Sequence, residues 1–281
     1  MSIVLVTGGN KGIGYEAVKY VSQRSPDDSI LLASRSVLNG EDAVNKMKTA
    51  VPGCSFANVE VVQLDITDRS SIDNLVNHVR SKYGRLDILV HNSGISNAAG
   101  DPLSPEVFVV NIQGAHDTIE AFLPLLPKNT GKIALVSSEV GAWYMHNLDE
   151  SSRKALDEVD EIDWPQIEEW MTDYTAFSKG QPAVMKWIPL DTRLGFAYTA
   201  SKALVTTWGR SFAVHNPQVK LAIVCPGYCA TDLNHFSGTR PAAEGGKSIV
   251  WPLYNEFESG HFYQDGVELP FAMPIPEGMM G

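Results

Sequence analysis

Short, wholly apolar runs alternate with amphipathic stretches along this chain, and no other feature limits its possible folds as strongly. Runs rich in Val, Ile and Leu recur at Ile3 to Val6, Ile30 to Ala33, Val59 to Leu64, Leu86 to Val90, Ile133 to Val136 and Leu221 to Val224. A run that is apolar at every position, rather than at alternate ones, reads as a strand buried on both faces. Between the first two runs, Ile13, Ala17, Val18 and Val21 fall on one helix face; after the third, Ile72, Leu75, Val76 and Val79 do the same. Strands separated by helices require right-handed crossovers. The expectation is an α/β chain, a doubly wound parallel sheet with helices on both faces, whose ligands sit beyond the carboxyl ends of the strands. Its 281 residues fit one large domain spanning 1–281. The rhythm breaks from Glu139 to about Leu190, where prolines and aromatic residues crowd together without a strand-like run. This predicts a helical insertion over 139–190, after the fifth strand. The Pro-, Gly- and Met-rich tail after Gly266 predicts an extended or frayed end.

Charge and cysteine usage narrow the class of partner. With 22 basic and 33 acidic side chains the formal net charge is −11, which disfavours nucleic acid or an anionic membrane as the main partner. Cys54, Cys225 and Cys229 form no C-x-x-C pair, so neither a disulfide framework nor a thiolate zinc site is expected, and reducing, cytoplasmic surroundings fit best. Ser2 leads directly into the first apolar run, leaving no room for a signal peptide, and no stretch approaches a membrane span. The seven histidines lack ligand spacing, and no metal is expected.

The first run ends in Thr7-Gly8-Gly9-Asn10-Lys11-Gly12-Ile13-Gly14 and opens straight into a helix. Glycines there permit positive φ and let the backbone approach a pyrophosphate at the positive end of the helix. The second run ends at Ser34-Arg35, where an acid would ordinarily bond the ribose of NAD. A guanidinium in that place, aided by Lys11, suits the 2′-phosphate of NADP instead. Asp65, followed by Ile66 after the third run, has two readings: an acceptor for the adenine amino group, or a cap for the helix beginning near Asp68.

Tyr198 and Lys202 stand four residues apart at the start of a helix-compatible run, which places them on one face. Tyr15 and Lys19 repeat that spacing and are assigned to the surface and packing of the first helix. The later pair keeps different company: Ser137 and Ser138 end the fifth run, Asn111 follows an apolar stretch, and Pro226-Gly227 closes the sixth. Taken singly, Ser138 reads equally as a strand-end cap, Asn111 as a buried hydrogen-bonding residue, and Thr231 as a helix N-cap.

Together these residues resemble the short-chain dehydrogenase/reductase family, and within it the NADPH-dependent carbonyl reductase group. The resemblance covers about residues 1 to 260. The family's T-G-x-x-x-G-x-G loop matches Thr7, Gly8, Gly12 and Gly14, and its N-N-A-G motif appears as His91-Asn92-Ser93-Gly94, with His91 and Ser93 as departures. Its active-site Asn, Ser and Y-x-x-x-K match Asn111, Ser138, Tyr198 and Lys202, and its P-G motif with a later Thr matches Pro226, Gly227 and Thr231.

The resemblance implies a Rossmann-type fold and NADP(H), held by Gly8, Asn10, Lys11, Gly12, Ile13, Gly14, Arg35, Asp65, Ile66, Asn92, Gly94, Tyr198, Lys202, Pro226, Gly227 and Thr231. It implies reduction of a ketone, aldehyde or quinone by hydride transfer, with Tyr198 as proton donor, Ser138 holding the substrate oxygen and Asn111 positioning a relay water for Lys202. The Lys202 ammonium is expected to lower the phenol's pKa by about three units, roughly 4 kcal/mol. Two other readings are a dedicated biosynthetic ketone or imine reductase and a non-catalytic NADPH-binding sensor. Sixty positions separate Ser138 from Tyr198, far more than is usual in the family and similar to its monomeric carbonyl reductases. That implies a monomer with an insertion covering the substrate cleft. Trp143 and Tyr144, nearest Ser138, join Ser138 and Tyr198 as pocket candidates, with packing of the added helices as the alternative for each aromatic.

Overall fold

In the computed structural model, residues 1–97 and 100–278 are described. Each of the six apolar runs forms a strand: β1 (Ile3–Thr7), β2 (Ser29–Ser34), β3 (Val59–Gln63), β4 (Ile88–His91), β5 (Lys132–Val136) and β6 (Lys220–Val224). They are joined through α1 (Gly12–Arg24), α2 (Val37–Ala50), α3 (Arg69–Tyr83), α4 (Glu106–Phe108) and α5 (Gly114–Phe122), and later through α6 (Glu139–Asn147), α7 (Glu150–Asp157), α8 (Trp164–Ser178) and α9 (Ala197–His215). The chain closes with α10 (Ala242–Ile249), α11 (Trp251–Tyr254), β7 (Phe262–Gln264) and β8 (Val267–Leu269).

The sheet runs β3-β2-β1-β4-β5-β6-β7-β8, parallel throughout except for β8, which returns antiparallel to β7. All five residues of β1 are buried. Side-chain alternation sends Leu5, Leu89 and Leu135 to one face and Val6, Val90 and Ala134 to the other, which is why the core divides into two apolar layers. β1 is the strand from which the order departs in both directions, toward β2 on one side and β4 on the other. Loops leave a crevice at such a point, and chemistry is placed there in sheets of this type.

Of the two expectations for the tail, extended or frayed, its start is the extended one: β8 pairs Leu269 with Phe262 and Val267 with Gln264. The following residues Phe271, Ala272, Met273 and Ile275 pack against the core, and the Met273 amide donates to the Ala142 carbonyl at 3.2 Å. Apolar burial outweighs the poor helix and strand propensity of the tail. The last three residues of that tail lie outside the described ones.

Candidate active site

Two glycines open the crevice. Gly8 and Gly12 have φ of +65° and +56°, conformations that other residues adopt at a cost. A Cβ on Gly14 would lie 2.3 Å from the Gly8 carbonyl oxygen, so only glycine lets α1 start this close to β1. The N-cap of α1, Lys11, supplies no side-chain bond, whereas Ser36 and Asp68 cap α2 and α3. The first amides of α1 therefore face the crevice as donors, together with the positive end of the helix dipole. A cavity of about 450 Å³ extends from them. It is walled by Gly8, Asn10, Lys11, Gly12 and Ile13, by Arg35 at the end of β2, by Asp65 and Ile66 after β3, by Asn92 and Gly94 after β4, and by Thr231. A cradle of backbone donors with two cations at one end fits a phosphate-bearing dinucleotide.

Local hydrogen bonds fix several of these walls. Asn92 donates from its side chain to the Thr7 carbonyl at 2.9 Å, and its amide donates to the Thr7 hydroxyl at 3.0 Å, tying β4 to β1. The Asp65 carboxylate accepts from both the amide and the hydroxyl of Thr67, while Asp68 is the residue that caps α3. The capping reading of Asp65 is thereby removed. Thr231 begins a short 3₁₀ turn, Asp232–Asn234, as its N-cap residue and stands over Gly12. Gly14, Pro226, Gly227, Tyr198 and Lys202 lie outside the cavity wall. Gly227 has φ of +75° and turns the chain after β6.

The second group of residues meets the cavity at Gly94. A Cβ there would lie 3.1 Å from the Asn111 side-chain oxygen and 3.9 Å from Lys202 Nζ. Asn111 sits in a π-helical turn, Val109–Gln113, a local register shift that recurs at functional sites. Its carboxamide is fully engaged: it accepts from the Ile95 amide and donates to the Ile95 carbonyl and to the Ser201 hydroxyl, all at 2.9–3.0 Å. Lys202 Nζ donates to the Val136 carbonyl at 2.9 Å and lies 5.7 Å from the centre of the Tyr198 ring. Ser138 is the N-cap of α6 and hydrogen-bonds Tyr198. Four residues separated by up to 91 positions in sequence thus come to one place, carried by the π turn, the start of α6 and the first turns of α9.

Electrostatics here differ from expectation. The Tyr198 phenol is pushed up to about 12, not lowered, because burial disfavours its anion more than the Ser138 hydrogen bond favours it. Burial also brings Lys202 down to about 8. Its ammonium donates to the Val136 carbonyl and does not outweigh desolvation of the phenol.

The pocket expectation for Trp143 and Tyr144 is also corrected. They are 4% and 1% exposed, and the Tyr144 hydroxyl donates to the Trp187 carbonyl at 2.6 Å. The reason lies at Gly141, where a Cβ would come within 2.6 Å of the Lys202 backbone: α6 docks directly on α9 and turns both aromatics into the core. Trp170, Tyr174 and Trp187 are buried with them, with Tyr174 stacked on Phe108 at 4.0 Å between ring centres.

Sequence reasoning missed three participants. Ser137 binds the Lys202 carbonyl at 3.1 Å and the Thr206 hydroxyl at 2.7 Å, pinning α9 to the end of β5. Ser201 anchors Asn111; its place directly before Lys202 was the available signal. Asp232 faces Lys11 across the crevice, and nothing in the sequence marks that contact.

Comparison with known proteins agrees with this geometry. The family model described as short chain dehydrogenase matches residues 2–150. The chain is 31% identical to a (+)-neomenthol dehydrogenase of Capsicum annuum, across 92% of this chain and 94% of that one. It is 29% identical to carbonyl reductase [NADPH] 1 of Pongo abelii, across 89% and 90%. The structure of salutaridine reductase from Papaver somniferum superposes with a TM-score of 0.79 at 27% identity, covering 94% of this chain and 99% of that one.

Proposed function

The chain belongs to the short-chain dehydrogenase/reductase family, and on that premise we propose that it is an NADPH-dependent reductase of a ketone or aldehyde carbonyl. The observation that carries this reading is the meeting of Ser138, Tyr198, Lys202 and Asn111 at the end of a crevice whose other end presents Arg35 and Lys11. When bound, NADPH supplies the hydride. The chain's own residues do the rest. Tyr198, held protonated at neutral pH by burial, gives its proton to the developing alkoxide. Ser138 donates a hydrogen bond to that oxygen, and the Lys202 ammonium stabilises the phenolate left behind. Asn111 positions Lys202 through the Ile95 segment and Ser201. Arg35 and Lys11 hold the 2′-phosphate; a 2′-hydroxyl would not engage the planar fork of the guanidinium as well.

A narrower version, one dedicated cyclic ketone as substrate, is favoured by the relatives named for neomenthol and salutaridine. Phe196, two positions before Tyr198 and 45% exposed, offers an apolar surface for such a ring. The same reading makes the chain one domain acting as a monomer, with 139–190 beside the substrate cleft.

The test is NADPH consumption over a panel of cyclic and open-chain carbonyls, with Tyr198→Phe alongside. The wild type should turn over at least one ketone. The variant should bind NADPH normally and lose at least a hundredfold in kcat, the usual scale of a lost general acid. Full activity in Tyr198→Phe would assign the proton to another group.

A further inference from the structure

The segment after β6 crosses the mouth of the crevice, with Thr231, Asp232 and Leu233 forming the wall opposite the glycine loop. Two contacts hold it there. Lys11 Nζ lies 3.5 Å from the Asp232 carboxylate, and the Ser96 hydroxyl donates to the Leu233 carbonyl at 2.8 Å. Immediately beyond, His235 and Phe236 both have positive φ, +52° and +60°, a strained arrangement for two consecutive non-glycine residues. Phe236 is 66% exposed. Beyond the buried Thr231, the crossing segment is therefore held down by a few bonds rather than by core packing.

The two cations assigned to the 2′-phosphate are not equivalent. Arg35 has no carboxylate within ion-pair distance among the described residues, while Lys11 is already paired. Both partners of that pair are more than half exposed, at 67% and 51%. Exposed pairs are weak and readily exchanged. A dianionic phosphate is a stronger partner for the ammonium than one carboxylate, and it repels that carboxylate.

Resting on the NADPH reading above, we propose that Asp232 is a cofactor-discriminating residue: Lys11 leaves it for the 2′-phosphate, and the crossing segment loses one of its two ties only when a 2′-phosphorylated ligand is seated. Adenosine ligands with a free 2′-hydroxyl leave the Lys11–Asp232 pair closed. Asp232 thus opposes NADPH slightly and, in exchange, couples recognition of the phosphate to loosening of the segment that carries Leu233 and Phe236.

The fragments 2′,5′-ADP and 5′-ADP separate the phosphate from the rest of the cofactor and require no turnover. Their dissociation constants are measured by calorimetry at low ionic strength for the wild type, Asp232→Asn, Lys11→Met and the double variant. Asp232→Asn should tighten 2′,5′-ADP about two- to fivefold, the range of an exposed ion pair. It should leave 5′-ADP unchanged, which also reports an intact site. In the Lys11→Met background the same substitution should tighten 2′,5′-ADP clearly less, leaving only the repulsion between carboxylate and phosphate. Equal tightening in both backgrounds would mean simple repulsion and overturn the exchange, as would an unchanged or weakened affinity for 2′,5′-ADP. If the wild type itself binds both fragments equally, the NADPH reading falls and takes this inference with it. A preserved wild-type preference beside an inert Asp232→Asn discards the exchange alone.

Discussion

Burial acts in opposite directions on the two members of the Tyr198–Lys202 pair, raising the phenol to about 12 and lowering the ammonium to about 8. A third buried group lies near them. His91, at the end of β4 and paired in register with Leu135 of β5, is 2% exposed, and neither ring nitrogen has a hydrogen-bond partner among the described residues. Desolvation first, and the Lys202 charge second, bring its pKa down to about 3. In the unfolded chain it titrates near 6.5, so between these values the unfolded state binds the extra proton. The stabilising contribution is complete above pH 6.5 and is lost as pH falls through that window. From pH 6.5 to 4.5 the loss is about 2.3 kcal/mol. His91→Asn, which restores the family's usual residue, should therefore flatten the decline of stability over that range in denaturant titrations, and identical slopes would rule out a neutral buried imidazole. His91 was visible in the sequence as a departure from the family motif. Its lack of partners was not, because that depends on which side chains surround the strand end.

Among the elements, α9 carries the most. Its inner face bears Lys202 and is pinned to β5 through Ser137. Elsewhere along it the helix is covered by its own chain: Thr207 donates to the Leu156 carbonyl at 3.1 Å and Ser211 to the Ile162 carbonyl at 2.5 Å. Leu156, Ile167, Trp170 and Tyr174 are buried by this arrangement. With those groups already satisfied, α9 offers little to a second copy. Sedimentation should accordingly give a single species of about 30.7 kDa, and a stable dimer would contradict the monomer reading. The strands β1 to β6 were readable because burial on both faces leaves continuous apolar runs. β7 and β8, three residues each, are too short to leave a pattern and form only because β6 offers an edge. The π turn at Asn111 was unreadable for another reason: its five residues are too few to show a side-chain period of their own. The insertion's aromatics were legible as a cluster, but their direction was set by the contact at Gly141.

At the scale of the whole molecule, the sheet order places everything chemical on one edge. Leaving β1 for β2 on one side and β4 on the other opens the crevice, and the carboxyl ends of β1, β2 and β4 deliver the glycine loop, Arg35 and Asn92 to it, while those of β5 and β6 carry Ser138 and the Pro226-Gly227 turn beside it. The described residues contain no helix long and apolar enough to cross a membrane and no cluster suited to a metal ion. On the proposed reading, a nucleotide held along this edge has its phosphate end at Arg35 and Lys11 and its reactive end at Tyr198. Reduction then follows from position rather than from any unusually reactive side chain. Isotope transfer addresses this most directly: NADPH carrying deuterium at either C4 position is incubated with the enzyme and a ketone that it reduces, and the alcohol is analysed by mass spectrometry and NMR. One of the two labelled forms should deliver a single deuterium to the former carbonyl carbon, and Tyr198→Phe should deliver almost none in the same time. An alcohol formed without label from both forms would contradict direct hydride transfer at this site.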